Sequence, residues 1–174
     1  MGFKTFISDL GDFSLLLPVK WVEYGGEDGI YSFVDLTEWS GNLSVTQIRF
    51  VEEYESSALN YIERVYQNTR SKNSVKSKIG NQHCISFSEC VDKEGFITYY
   101  WFLEKGNFVF VFSFSTDKEN SGTVRNELEL KKMENIICSL KTVEWNRKSK
   151  VKQEMNESDI QIKSSMKKSP KNSA

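Results

Sequence analysis

The chain has 174 residues, of which 39% are hydrophobic and 27% charged, a composition that suits one folded domain with a short appendage. Its net charge of −1 hides a split, because residues 147–174 carry +5 and leave −6 on residues 1–146. No apolar run approaches the roughly 20 residues of a membrane-spanning helix, and an acidic body argues against a nucleic-acid groove on the folded part.

The N-terminal half predicts strands, then one helix. The predicted strands are Phe3–Ile7, Asp12–Leu17, Ile30–Leu36 and Leu43–Val51, with a turn at residues 25–29. The period then changes to three/four spacing, which predicts a helix over residues 55–69 with a cap at Ser56 or Ser57. Its expected buried stripe is Ala58, Leu59, Ile62, Val65 and Tyr66.

The C-terminal half begins with a polar, lysine-rich stretch at residues 71–80, typical of a loop or an exposed edge strand. Three strands follow at Gln82–Val91, Phe96–Leu103 and Asn107–Ser115, and the turns at residues 92–95 and 104–107 make them antiparallel neighbours. Residues 123–140 predict a second helix. Its expected buried stripe is Val124, Leu128, Met133, Ile136, Ile137 and Leu140. Residues 144–174 predict a disordered basic tail, because they hold too few apolar side chains to offset the ordering entropy.

The strand at residues 107–115 determines the expected architecture. Its even positions, from Phe108 to Phe114, are all phenylalanine, and its odd positions from Val109 to Ser115 are valine or serine, so neither face is charged. Leaving the phenylalanine face in water would forfeit several kcal/mol, at about 1.5–3 kcal/mol per buried side chain. We therefore expect both faces to be covered, by helices on both sides or by a helix on one side and the N-terminal strands on the other.

Several local motifs are similar to one superfamily. The segment Asp12–Trp21, DFSLLLPVKW, resembles the opening F-S-hydrophobic-P-x-x-W motif of the PsbP-like superfamily. That group includes the oxygen-evolving-complex extrinsic protein, the Ran-binding nuclear import factor and many small bacterial domains of unknown function. The aromatic strand at Tyr99–Phe102, the strand at Phe108–Phe114 and the helix end at Ile136–Leu140 fit the same pattern. The likeness covers residues 3–143 and is nearest to an uncharacterised bacterial domain family.

This resemblance implies an α+β fold, namely a three-layer α/β/α sandwich around a central twisted antiparallel sheet, in a domain of residues 1–143. Fold alone implies little about function. The members that are understood mostly bind other proteins, and no catalytic residue pattern belongs to the superfamily, so none is carried over to this chain.

The residues do not predict an enzyme. His83 is the only histidine, and its neighbour Cys84 would point to the opposite face of a strand, which disfavours a Cys–His nucleophile or a metal site that includes Cys90. Phosphate-loop, dinucleotide, GxSxG and HExxH motifs are missing. The acidic pairs at residues 27–28, 52–53 and 127/129 are typical of solvated surfaces. We expect no cofactor and no metal.

The loop Thr37–Asn42 is the strongest candidate for a binding site. A tryptophan in a loop between strands suits an anchor for a partner, because interface hot spots favour tryptophan, tyrosine and arginine. Trp39, Glu38 and Asn42 are therefore the candidate partner-binding residues. The alternative is that Trp39 folds back over a sheet edge or a helix end, since large aromatic side chains are usually mostly buried.

The hypothesis that follows is a non-enzymatic, cytoplasmic protein-binding module, such as an immunity-type or adaptor protein that masks a basic partner. The odd number of cysteines and the lack of a basic, apolar leader favour the cytoplasm. A competing hypothesis is a small-ligand or enzymatic pocket over the small-residue face, which otherwise lets a helix approach the sheet closely. That face consists of Cys84, Ser86, Ser88 and Cys90. The tail suits RNA, an anionic lipid surface or an acidic partner, or only solubility.

Overall fold

Ten strands and two α-helices form in the part of the chain that the computed structural model describes, residues 2–24, 29–50, 57–91 and 95–142. The strands are β1 (Phe3–Ile7), β2 (Phe13–Pro18), β3 (Trp21–Glu23), β4 (Ile30–Asp35), β5 (Asn42–Arg49), β6 (Val75–Ile79), β7 (Gln82–Val91), β8 (Phe96–Lys105), β9 (Phe108–Asp117) and β10 (Lys141–Thr142). The helices are α1 (Ala58–Thr69) and α2 (Val124–Cys138). The predicted turns at residues 25–29 and 92–95 and the predicted tail lie wholly or mostly outside the described residues.

The strands form two antiparallel sheets, so the fold is mixed α/β. The larger sheet has the order β3-β4-β5-β9-β8-β7-β6, and the smaller has the order β1-β2-β10. The lysine-rich stretch is confirmed as an edge strand, β6. The strands β3 and β10 were not predicted; both are only two or three residues long, and their pairing partners in the fold define them.

Both faces of β9 are covered, as the alternation of its residues predicts. Phe110, Phe112 and Phe114 are fully buried in the main hydrophobic cluster. Val109, on the opposite face, is fully buried in a second cluster, and Val111 packs against that cluster. The central strand therefore separates two hydrophobic cores.

Different elements cover the two faces. α1 contributes Ala58 and Ile62 to the cluster around Val109. The opposite cluster, around the phenylalanines, combines side chains of α2, such as Met133, with side chains of β2, such as Phe13. A helix and an N-terminal strand thus cover the phenylalanine face together, whereas the prediction offered them as alternatives.

α1 begins where the sequence indicates. Ser57 is its N-cap, and the hydroxyl of Ser57 accepts a hydrogen bond from the Asn60 amide at 3.2 Å. Ile62 is buried, and Val65 packs against the same cluster. The prediction that Leu59 is buried was wrong, because this side chain is more than half exposed at the margin of the stripe.

α2 is capped by Thr123, whose hydroxyl accepts from the Asn126 amide at 3.2 Å. Its buried residues are Asn126, Met133, Ile136 and Ile137. The prediction that Val124 and Leu128 belong to the buried stripe was wrong, since they are 74% and 63% exposed. Leu128 and Met133 are five residues apart, which is about 140° around a helix of 3.6 residues per turn, so they lie on different sides. Within the described part of the chain, neither helix has the length and apolarity to cross a membrane.

Candidate partner-binding surface

The loop between β4 and β5, residues 36–41, is held at its first end by a carboxylate. Asp35 Oδ1 accepts hydrogen bonds from the Thr37 amide at 2.8 Å, the Thr37 hydroxyl at 2.7 Å and the Glu38 amide at 3.2 Å. These bonds, led by that of the Thr37 hydroxyl, lower the pKa of Asp35 from its ordinary value. Three bonds to one oxygen define the path of the chain into the loop.

The far end of the loop is held against β9. Gly41 has a φ of +150°, and a Cβ there would lie 2.5 Å from Phe114 Cζ and 2.6 Å from the Ser115 carbonyl oxygen. The carbonyl of Ser40 accepts a hydrogen bond from the Thr116 hydroxyl at 2.8 Å. Only glycine fits this close approach of loop and strand.

Trp39 stands between these two anchored ends. Its indole Nε1 donates to Asn42 Oδ1 at 3.2 Å, and the residue is 41% exposed. The side chain is therefore held in one orientation while a large part of it faces solvent. Of the three predicted binding residues, Asn42 positions the ring from the start of β5.

A third contact joins the loop to α2. Arg125 Nη2 donates to the Trp39 carbonyl at 3.3 Å and lies 3.8 Å from Glu38 Oε1. This arginine is 86 residues beyond Trp39 in the sequence, so the sequence gives no sign of the contact. It brings the first turn of α2 beside the loop.

The first turns of α2, which carry Arg125, also expose apolar side chains. Val124 and Leu128 are four residues apart, so they lie on one side of the helix, one above the other. Helical spacing was the signal that could have identified them, because it places them about 140° to 180° around the helix from the buried Met133 and Ile137. We call this region the Trp39 surface. It consists of Leu36, Glu38, Trp39, Val124, Arg125 and Leu128, all exposed.

The candidate nucleophile and metal ligands lie apart from this surface. His83 is exposed near the start of β7, where it pairs with Lys78 of β6. Cys84 is buried, and burial raises the pKa of its thiol to about 12, so the reactive thiolate is scarce at neutral pH. Among the described residues, no three His, Cys, Asp or Glu side chains cluster in a way that could hold a metal ion.

The small-residue face of β7 is divided. Cys84 is part of the main hydrophobic cluster, whereas Ser88 and Cys90 are exposed. The inner end of this face therefore packs against other side chains, as expected for close contact between layers.

Of the predicted acidic pairs, those at residues 27–28 and 52–53 lie outside the described residues. In the remaining pair, the carboxylate of Glu129 accepts a hydrogen bond from the ammonium group of Lys132 at 2.7 Å.

The solved structures that are similar to this chain include one from Bacteroides and one from a cyanobacterium. A protein from Bacteroides thetaiotaomicron VPI-5482 matches with a TM-score of 0.66 and 24% identity, over 83% of this chain and 50% of that chain. This chain thus spans about half the length of the Bacteroides protein. Cyanobacterial PsbP (CyanoP) from Synechocystis sp. PCC 6803 matches with a TM-score of 0.52 and 14% identity, over 81% of this chain and 92% of that chain.

These likenesses confirm a PsbP-like fold, which the opening motif and the aromatic strands predict. No curated protein sequence matches this chain. A family model does match, over residues 1–162, and the family is described as a domain of unknown function, DUF3805. The match covers most of the sequence, so this chain is a member of the DUF3805 family.

Proposed function

We propose that this protein is a non-enzymatic, cytoplasmic protein-binding module and that the Trp39 surface is its docking site. The observation that carries the proposal is an exposed tryptophan on a loop held by Asp35, by Gly41 and by Arg125. A side chain that is already ordered loses little entropy on binding, which favours affinity.

The chemistry of the surface suits an apolar anchor with a charged rim. Trp39, Val124 and Leu128 supply apolar area, and the side chain of Glu38 is 76% exposed although its carboxylate lies 3.8 Å from Arg125. Apolar contacts inside a polar rim are typical of specific interfaces. With the net −6 of residues 1–146, this arrangement favours a basic partner, as an immunity-type or adaptor protein that masks such a partner requires.

We also propose that the domain is the three-layer α/β/α sandwich implied by the family resemblance. The side chains of α1 and α2 belong to different clusters, on opposite faces of β9. In this arrangement the sheet isolates α1 from the Trp39 surface, so substitutions on α1 serve as controls for substitutions on α2.

The experiment compares substitutions at two exposed apolar positions in different parts of the fold. Full-length wild type, Trp39→Ala and Leu59→Ala, the last on α1, are used as baits in the native host, with quantitative mass spectrometry. We expect one stoichiometric protein to be recovered by wild type and Leu59→Ala and lost with Trp39→Ala. Titration of that purified partner should then show a Kd raised about 30-fold by Trp39→Ala, as for a hot spot of about 2 kcal/mol.

Equal binding of the partner to wild type and Trp39→Ala would refute the docking site. Recovery of no stoichiometric protein by any bait would argue against the binding module itself. Circular dichroism of both variants checks that neither is misfolded, because a partly exposed loop side chain should be removable without loss of the fold.

A further inference from the structure

Exposed apolar side chains also concentrate on the small sheet. The β1–β2 register pairs Thr5 with Leu16 and Ile7 with Ser14, and Phe3 alternates in step with Thr5 and Ile7, so Phe3, Thr5, Ile7 and Leu16 share the outer face. On that face Phe3 is 53% exposed, Ile7 62% and Leu16 43%. The inner face, with Phe6 and Leu15, packs on the main cluster. Phe3 and Ile7 lie on the strand at the end of the sheet, so a further strand paired with β1 would contact them directly.

β1 is the end strand of this sheet. It pairs with β2 on one side, and no other strand of the described chain pairs with its second side. An unpaired strand edge is a template for another strand. The end strand β6 of the large sheet differs, since Lys76 and Lys78 place two charges in five residues, a common protection against edge pairing. β1 carries a single charge, on Lys4.

We propose that two copies of this chain associate by antiparallel pairing of β1 with β1 about a twofold axis at Thr5. In this register Thr5 faces Thr5, and each Phe3 faces Ile7 of the other copy. Both pairs suit a β-ladder, because β-branched and aromatic residues stabilise each other across strands. The surface is self-complementary, as a twofold interface requires.

Charge supports the same occupant. In the proposed register Lys4 faces Phe6 of the other copy, so the two lysines are not directly opposite each other. Like charges directly opposite would destabilise the ladder, whereas an ammonium group beside an aromatic ring is favourable. The pairing joins two three-stranded sheets into one of six strands. It involves only five residues of each copy, so we expect a dimer that dissociates on dilution.

The test is sedimentation velocity of the full chain over a range of concentrations. The apparent mass of the wild-type protein should rise from the monomer mass of 20.2 kDa towards twice that value as the concentration increases. Ile7→Glu should raise the dimer dissociation constant at least tenfold, because it puts a carboxylate opposite Phe3. The double variant Phe3→Lys/Ile7→Glu places opposite charges across both pairs and should recover most of the association. Leu59→Glu, on α1, is the matched control and should behave as wild type.

The recovery by the double variant is specific to this register. A monomer at every concentration, or a dimer that Ile7→Glu leaves unchanged, would overturn the proposal, and so would a double variant weaker than Ile7→Glu alone. If β1 instead pairs with a strand of another protein, the purified wild-type chain should stay monomeric, which would also contradict the proposal. Trp39→Ala should leave the dimer unchanged, so this proposal and the proposed docking site fail or succeed separately.

Discussion

The two helices differ in how their apolar side chains are used. α1 places its apolar stripe, with Ile62 at the centre, against one face of the large sheet. α2 has apolar residues on two sides: Met133 and Ile137 are buried, while Val124 and Leu128 are exposed on the first turns of the helix, which also carry Arg125. An apolar residue on one side of α2 therefore stabilises the fold, and one on the other side is available to a partner.

The largest expected effect separates the two sides of α2. Ile137→Ala removes a fully buried side chain and should lower the free energy of unfolding by about 2–5 kcal/mol. Leu128→Ala, on the exposed side, should change it by less than about 0.5 kcal/mol. Urea denaturation of both variants measures this. Similar losses for the two would mean that Leu128 is packed in solution, and the division of α2 would be wrong.

The second expected effect concerns the close approach of the loop to β9. Gly41→Ala adds a methyl group 2.5 Å from the Phe114 ring at a φ of +150°, so we expect a loss of about 3 kcal/mol from backbone strain and overpacking. Gly122→Ala is the control: it also has a positive φ, but nothing lies within 4 Å of the added Cβ, so about 1 kcal/mol should be lost. Equal losses in thermal and urea unfolding would contradict a tight contact at Gly41.

The sequence predicts the central features of the fold because they depend on local patterns. The alternation in β9 identifies two covered faces, and the apolar spacing with Ser57 places α1. The strands β3 and β10 were missed because strands of two or three residues carry almost no periodicity. In α2, the buried stripe includes a polar residue, Asn126, whose Nδ2 donates to the Tyr99 hydroxyl at 2.8 Å. A prediction that counts only apolar residues therefore assigns the wrong residues to the buried side of the helix.

The candidate site was predictable only in part. A tryptophan in a short loop indicated Trp39, and the neighbouring Glu38 followed from the same loop. The contribution of α2 depends on Arg125, which meets the loop only after the whole sheet has formed. Long-range contacts of this kind have no signature in a single sequence, whereas the outward orientation of Leu128 follows from helical angles.

The rates at which the three cysteines react with a thiol reagent also distinguish the buried side of α2 from its exposed side. Cys84 is buried in the cluster that contains Met133, and Cys138 is exposed on α2. Under native conditions a thiol reagent should modify Cys90 and Cys138 rapidly and Cys84 only on unfolding. Mass spectrometry of the labelled peptides measures this, and rapid labelling of Cys84 would show that the cluster opens readily.

The pKa of Cys84 adds a pH dependence. Its value is raised from 9.0 to about 12 by burial, so the unfolded chain loses the thiol proton first as the pH rises. The stability contributed by the protonated thiol is complete below pH 9 and is lost as the pH rises through about 12. In that window, wild type should lose about 1.4 kcal/mol more per pH unit than Cys84→Ala. Parallel pH profiles of the two proteins would contradict the raised pKa.

The smallest expected effect concerns the contact that joins α2 to the loop. Arg125 and Glu38 are 3.8 Å apart and mostly exposed, so Arg125→Ala should change the free energy of unfolding by less than about 1 kcal/mol. The variant also removes the donor to the Trp39 carbonyl, so the indole should become more mobile, which time-resolved fluorescence anisotropy detects. The chain has four tryptophans, so the Trp39→Phe protein provides the background to subtract. Arg125→Lys is the control, because it keeps the charge but not the planar donor group. An unchanged indole signal in Arg125→Ala would mean that Asn42, Asp35 and Gly41 suffice to order the loop and that α2 contributes only its exposed apolar side chains.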